Sequence, residues 1–377
     1  MEIRDVETIE FTYESNKVRD EKGHSHPGEP HEARGTITRV VVEDGPDGYC
    51  PGGSAATNDL AADYLVGEDP REREAISQRL KRSQRLHKGS FADTNLARID
   101  CALWDVAGKL YDEPVYRLLG GHREWVPAYG STMVGDDDGL GSPEAYADFA
   151  ADLVDRGYPA VKLHTWMPPY DASPERVIEA CRAVRERVGP DVSLMLDSHH
   201  FYSRTEARRI GRALADLEFA WFEEPMDEHS ISAYEWLTEE VEVPVVGPET
   251  AEGRHHTRAE WIKRGASDVS RVGIADVGGL TPALKTVHLC EAFAVPCEVH
   301  GANLPNLHLL AAMADSGEYY ERGLLHPAFD YEAATPWLVE VPDPLDDDGR
   351  VLLPEEPGLG YEFDWEFVET NRIDGAD

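Results

Sequence analysis

Three short segments decide the fold of this chain: SLMLD at Ser193–Asp197, AWFEEP at 220–225 and VPVVGPE at 243–249. Each is an apolar run of strand type that carries an acid at its end, and those acids are Asp197, Glu223 and Glu249. They are 26 residues apart, twice in succession, which is about the length of one strand-plus-helix unit. The spacing predicts three consecutive parallel strands whose acids meet at one end.

Five more β-like runs extend this pattern on both sides. They are VPAYGSTM (126–133), AVKLHTW (160–166), VSRVGIA (269–275), VPCEVHG (295–301) and GLLHP (323–327). Amphipathic segments such as SPERVIEACRAVRERV separate the runs. Eight strands with helical crossovers predict a parallel βα-barrel. A doubly wound open sheet is the alternative, but it requires a Gly-rich phosphate turn after its first strand, and the sequence has none.

The N-terminal third has a different pattern of predicted secondary structure. Residues 2–13 alternate like a strand and 36–43 resemble its hairpin partner, while the polar stretch 14–35 and the Gly-rich stretch 49–54 predict loops. Helical spacing dominates residues 56–119. The last 45 or so residues return to strands and turns.

Composition limits the classes of protein. The chain has 377 residues with 41% hydrophobic residues, enough for a large core. It has no apolar run of 18 residues and no apolar leader at its start, so we expect a soluble protein that is not exported. Five scattered cysteines without a CxxC pair argue against a disulfide framework or a structural zinc site, and favour the reducing cytosol.

The charge balance is unusual, because 73 acidic residues face 36 basic ones for a formal net charge of -37. Such a surface repels nucleic acid and anionic membranes. The acid-rich, lysine-poor composition is typical of proteins from salt-accumulating organisms. The alternative, a disordered acidic chain, is disfavoured because periodic apolar residues interrupt the charges.

Asp197, Glu223 and Glu249 are candidate metal ligands. Converging carboxylates repel one another unless a cation lies between them, and hard oxygen ligands suit Mg²⁺ better than zinc. In so acidic a chain, three acids at strand ends can also arise by chance.

Basic side chains share the inward side of the predicted barrel. Lys162 and His164 are two residues apart and so face the same side of their strand. His199 follows Asp197 by two, and Glu298 precedes His300 by two. Singly, each histidine is more often a hydrogen-bonded core residue. Together they favour acid/base chemistry, and beside a divalent cation that chemistry is removal of the proton α to a carboxylate through an enediolate.

The chain resembles the enolase superfamily, and within it the mandelate racemase-like group that includes acid sugar dehydratases. The resemblance rests on NLARIDCALWDVAGKLYDEPVYRLLGG, on the LD, EEP and GPE strand ends, on GGLTPALK and on the closing PGLG. It implies a modified (β/α)7β TIM-like barrel in residues 126–330, an α+β capping domain in residues 1–125, and a segment 331–377 that returns to the cap.

The resemblance also implies roles for individual residues. Asp197, Glu223 and Glu249 would bind one Mg²⁺ per active site, and His164 would stand where the base stands. Lys162 would polarise the substrate carboxylate, and Glu321 would bond it. His300 matches the opposing histidine, and His199 matches the Asp-x-His of galactonate- and mannonate-type dehydratases.

One position departs from the family pattern. The aspartate that pairs with the histidine should lie about five residues before Gly278, where this chain has Gly273. Glu298 or Asp276 is a candidate substitute, and Glu298 is also a candidate substrate-binding residue.

Substrate specificity is expected in the two predicted cap loops. His24, His26 and His31 lie in the first of them. His24 is the candidate for binding sugar hydroxyls, although loop histidines are more often exposed to solvent.

These observations predict a cytoplasmic, Mg²⁺-dependent dehydratase that converts an aldonate or aldarate to a 2-keto-3-deoxy acid. The alternatives are a cycloisomerase of a sugar lactone or anhydro sugar acid, a racemase or epimerase, and a non-catalytic metal-binding regulator. The expected partner is a small carboxylate, with no nucleic acid and no membrane. By analogy we expect a homo-oligomer, from dimer to octamer.

Overall fold

The computed structural model describes residues 1–21, 23–314 and 317–373. An antiparallel sheet of order β1-β2-β3 begins the chain, with β1 at Glu2–Arg19, β2 at Ser25–Glu43 and β3 at Gly48–Pro51. Four helices follow: α1 (Ala55–Leu65), α2 (Arg73–Gln84), α3 (Asp93–Tyr111) and α4 (Val115–Leu118). Sheet and helices form the α+β cap.

Both predicted cap loops are wrong in part, because strands occupy them. The β1–β2 ladder continues from Thr12↔Arg34 out to Arg19↔Ser25, so most of residues 14–35 form a long hairpin. Residues 48–51 form β3, with Cys50 opposite Thr38. The outer hairpin lacks the apolar alternation of a half-buried strand because most of its side chains are exposed. Its strands nevertheless pair with each other, with one register irregularity between Ser15 and Lys17.

The central part of the chain is a parallel barrel. Its strands are β4 (Trp125–Thr132), β5 (Ala160–His164), β6 (Ser193–Asp197), β7 (Trp221–Glu223), β8 (Val245–Val246), β9 (Ser270–Val272), β10 (Cys297–Val299) and β11 (Tyr320–Leu325). Strand pairing runs in the order β11-β4-β5-β6-β7-β8, a parallel bridge joins Val246 to Val269, and β9 pairs with β10.

Helices connect each barrel strand to the next. They are α5 (Pro143–Asp155), α6 (Pro174–Val188), α7 (Arg204–Asp216), α8 (Ile231–Glu240), α9 (His255–Arg264), the pair α10 (Ile274–Val277) and α11 (Leu280–Phe293), and α12 (Leu304–Ala312). Eight parallel strands with seven helical crossovers confirm the predicted modified (β/α)7β barrel.

The barrel interior is layered. Its lower layer is an apolar cluster formed by Tyr129, Ala160, Met195, Trp221, Val246 and Tyr319. Two residues further along three of these strands, the side chains that face inward are charged. They are Lys162, Asp197 and Glu223. Apolar packing therefore supports a buried charged layer at the carboxyl ends of the strands.

The chain end contacts both parts of the molecule. Strand β12 (Arg350–Leu352) pairs antiparallel with β4 of the barrel, and helix α13 (Trp365–Thr370) lies near the C-terminus. A bridge joins Phe11 of the cap to Arg372. Within the residues described, no helix combines the length and apolar character needed to cross a membrane.

Helix α3 joins the cap to the barrel. Its buried Asp100 accepts the backbone N–H of Thr281 at 2.9 Å, and Trp104 Nε1 donates to Thr281 Oγ1 at 3.0 Å. The cap is thus hydrogen-bonded to α11 through buried polar groups.

Candidate active site

The three predicted metal ligands lie side by side. Parallel pairing places Asp197 opposite Glu223, and Glu249 follows the next strand, β8. All three side chains are buried, and one oxygen of each lies within 4.8 Å of the others. The three acids that are spaced 26 residues apart in the sequence therefore lie together in space.

The buried carboxylates of this trio oppose one another's ionisation. Burial, together with Glu223 and Asp197, raises the pKa of Glu249 well above its usual value despite the opposing effect of His300. Each of the three carboxylates places an oxygen toward the other two, and converging carboxylate oxygens fit a hard divalent cation.

Lys162 lies at the centre of the charged layer and is fully buried. Its Nζ is 3.2 Å from Asp197 Oδ2, 3.0 Å from Glu223 Oε2 and 3.0 Å from Glu321 Oε1. Burial lowers its pKa, but Glu223 and Glu321 outweigh that effect and hold the pKa well above its usual value. Lys162 is therefore an ammonium ion that bridges the site.

Arg271 is a second buried cation that the sequence reasoning missed. Its Nε is 2.6 Å from Glu223 Oε1 and 3.4 Å from Glu249 Oε2, and its Nη2 is 3.0 Å from Glu321 Oε2. The signal was available, since Arg271 precedes Gly273 by two residues and so shares its inward parity.

Glu321 was expected to bond the substrate carboxylate. In the structure its two oxygens meet Lys162, Arg271 and the backbone N–H of Gly301, the last at 2.8 Å. Burial opposes ionisation, but Lys162 and Arg271 hold the pKa of Glu321 well below its usual value. Glu321 is thus an ionised partner of two cations.

The ring of His164 is held in one orientation by hydrogen bonds. Its Nδ1 lies 2.6 Å from the carbonyl oxygen of Thr132, which can only accept, so Nδ1 carries a proton. Its Nε2 lies 3.0 Å from Asp197 Oδ2. The ring therefore presents Nε2 to the carboxylate cluster.

His199 stacks on His164, with ring centroids 4.7 Å apart. Its backbone is in the left-handed region at φ 46°, a strained conformation for a residue with a side chain. Burial lowers the pKa of its ring to about 3. Of the loop histidines, His24 reaches this site, because its ring lies 5.0 Å from that of His199.

The other two loop histidines have partners within the hairpin. His26 Nε2 is 3.3 Å from Asp20 Oδ2, which also lies 3.2 Å from His24 Nδ1, and His31 Nδ1 donates to the carbonyl of Glu29. The hairpin thus brings His24 alone of these three to His199.

His300 has an orienting carboxylate, and it is Asp276. His300 Nδ1 lies 2.8 Å from Asp276 Oδ2, and its Nε2 lies 3.2 Å from Glu249 Oε1. Burial opposes protonation, but Glu249 and Asp276 raise the pKa of His300 to about 10. Glu298 instead accepts the backbone N–H groups of Glu318 and Tyr319.

Gly273 explains how Asp276 reaches the histidine. A Cβ atom placed on Gly273 would lie 1.9 Å from Asp276 Oδ2 and 3.0 Å from His300 Nδ1. The carboxylate from the short helix α10 therefore occupies the space that a side chain at position 273 would need.

Two family models match this chain. Residues 145–367 match the model described as "Enolase C-terminal domain-like", and residues 36–120 match the "Mandelate racemase / muconate lactonizing enzyme, N-terminal domain".

Relatives cover nearly the whole chain. The structure of D-glucarate dehydratase from Agrobacterium tumefaciens, complexed with magnesium, is 47% identical with a TM-score of 0.96, covering 99% of this chain and 100% of that one. Arabinonate dehydratase from Saccharolobus solfataricus is 29% identical over 95% of this chain and 96% of its own length. D-galactarolactone cycloisomerase from Agrobacterium fabrum is 30% identical, over 89% and 91%.

Proposed function

Because this chain belongs to the mandelate racemase / muconate lactonizing enzyme family of the enolase superfamily, we propose that it is a magnesium-dependent dehydratase of a sugar acid. Relatives named as dehydratases of glucarate and arabinonate support this assignment. The 47% identical relative acts on a diacid, so aldarates are the first substrate class to test. The product would be a 2-keto-3-deoxy acid.

Asp197, Glu223 and Glu249 would hold one Mg²⁺. The donor set supports this: one oxygen of each carboxylate lies within 4.8 Å of the others, and carboxylate oxygens are ligands that Mg²⁺ prefers. When bound, Mg²⁺ would stabilise the negative charge that develops on the substrate carboxylate.

The observation that carries the proposal is a pair of imidazoles at one carboxylate trio, His164 next to Asp197 and His300 next to Glu249. His164 Nδ1 donates to the carbonyl of Thr132, so Nε2 is the nitrogen that faces the site and would take the α-proton. His300 lies between two carboxylates, Asp276 at Nδ1 and Glu249 at Nε2, an arrangement that favours protons on both nitrogens. His300 is therefore suited to protonate the departing β-hydroxyl.

Lys162 and His199 complete the proposed machinery. Lys162, fixed as an ammonium ion, would bind the substrate carboxylate, and the neutral His199 next to His164 would contact a sugar hydroxyl, as would His24.

A cycloisomerase of a sugar lactone is the second candidate, since D-galactarolactone cycloisomerase is 30% identical to this chain. It would use the same proton abstraction but expel a ring oxygen. The product distinguishes the two functions.

The test is incubation with Mg²⁺ and a panel of aldarates, aldonates and their lactones in D₂O. We expect a 2-keto-3-deoxy acid from at least one free acid. In His164→Ala, both the formation of this product and the exchange of deuterium at the α-carbon should be lost. Exchange without elimination on every free acid would refute the dehydratase proposal. Turnover of lactones alone would favour the cycloisomerase.

We also propose that the protein works as a homo-oligomer in a salt-rich cytoplasm. The net charge of -37 supports a salt-rich environment, because salt screens the repulsion between the protein and an anionic substrate. Light scattering after size exclusion tests the assembly. A KM that falls as KCl rises tests the role of salt.

A further inference from the structure

The segment 248–251, which carries Glu249, is held from two sides by buried ions of opposite charge. Glu228 contacts its N–H groups, and Arg258 contacts its carbonyl groups. Glu228 and Arg258 lie outside the proposed catalytic machinery, and the two are called the clamp below.

Glu228 binds three successive backbone amides. Its Oε1 accepts the N–H of Glu249 at 2.5 Å, and its Oε2 accepts the N–H groups of Thr250 and Ala251, both at 2.8 Å. Oε2 also accepts the hydroxyl of Thr250 at 3.1 Å. Because charge-assisted bonds are the stronger class, this carboxylate fixes the direction of three consecutive peptide groups.

Arg258 is fully buried, and its guanidinium donates to backbone carbonyls. Its Nη2 donates to Glu249 O at 2.5 Å and Pro248 O at 3.1 Å, and its Nη1 donates to Ala251 O at 2.8 Å. Its Nε donates to the carbonyl of Arg271 at 3.2 Å. The same side chain thus joins the segment of Glu249 to strand β9.

We propose that Glu228 and Arg258 are positioning residues that hold the carboxylate of Glu249 in place for the metal, an inference that rests on the proposed function. Both peptide groups flanking Glu249 are bonded to the clamp, so loss of either ion frees the backbone that aims this side chain. Losing an outer-shell partner of a metal ligand typically weakens metal binding by about 10- to 100-fold.

A purely structural role would predict lower stability with unchanged metal affinity. Arg185 offers a matched control, because it also donates to backbone carbonyls: Leu217, Gly189, Val192 and Glu218. Those carbonyls lie at the opposite ends of the strands from the carboxylate trio, before β6 and β7.

The experiment is calorimetric titration of Mg²⁺ into metal-free wild type, Arg258→Met, Glu228→Gln and Arg185→Met, each checked for folding by circular dichroism. We expect Kd for Mg²⁺ to rise about 10- to 100-fold in the two clamp variants and to stay within about twofold of wild type in Arg185→Met. If Arg258→Met does not fold, Arg258→Lys takes its place, with a rise of at least about fivefold expected.

Folded clamp variants that bind Mg²⁺ as wild type does would overturn the inference and leave the proposed function standing. An equal loss of affinity in Arg185→Met would also overturn it. Wild type without Mg²⁺ binding would overturn the proposed function, and the clamp with it.

Discussion

Gly273→Ala should cost activity through a clash with one carboxylate. The backbone at Gly273 (φ -106°, ψ 136°) suits any residue, so the substitution adds no backbone strain. The new Cβ would lie 1.9 Å from Asp276 Oδ2, where ordinary contact begins at 3.4 Å. The carboxylate must therefore retreat by about 1.5 Å, the difference between these two distances, and lose its 2.8 Å bond to His300.

The magnitude follows from that bond. A hydrogen bond between charged groups contributes about 1.5–3 kcal/mol, and each 1.36 kcal/mol is a factor of ten in rate, so kcat should fall about 10- to 150-fold. Asp276→Ala should show a similar loss. In the double variant the Cβ no longer meets a carboxylate, so its loss should match that of Asp276→Ala alone.

The assay is kcat on the best sugar acid at saturating Mg²⁺, with thermal melting as the control for folding. A kcat for Gly273→Ala within twofold of wild type would refute the steric reasoning. So would a double variant whose loss equals the product of the two single losses.

Two further predictions concern the metal and the cap. Glu223→Gln removes a proposed ligand, so Mg²⁺ binding and turnover should be lost together, with a rise in Kd beyond the about 100-fold typical of an outer-shell change; calorimetry that shows wild-type affinity would contradict the assignment. Burial raises the pKa of Asp100 from 3.8 to about 6, so its contribution to stability is present below about pH 4 and lost as pH rises through 6. The free energy of unfolding in urea, taken as wild type minus Asp100→Asn, should accordingly fall by up to about 3 kcal/mol from pH 4 to pH 7. A difference that does not change with pH would exclude this role.

The sequence predicted those features that repeat with a regular period. Strand ends recur with each βα unit, so Asp197, Glu223 and Glu249 could be placed together, and inward parity selected Lys162 and His164. Asp276 could be offered only as one of two candidates, because its approach to His300 depends on the turn of α10 and on the space left by Gly273. The outer hairpin could not be predicted, because its side chains are mostly exposed and only the cross-strand pairing in the structure reveals it.

Arg271 shows a different limit. Its parity was readable, but a fully buried guanidinium among Glu223, Glu249 and Glu321 is favourable only when those carboxylates already converge. Such a residue becomes interpretable after the site is assembled, since its environment comes from three distant strands.

The β1–β2 hairpin also has a practical use in engineering. Beyond Thr12 and Arg34 its strands pair with each other out to Arg19 and Ser25, with a register irregularity between Ser15 and Lys17. On each side of that irregularity, alternate side chains point to opposite sides. A randomised library confined to every second position within these regular stretches would vary the surface beside His24 and leave the cross-strand ladder intact. Substrate range could then be selected without altering a residue of the carboxylate trio.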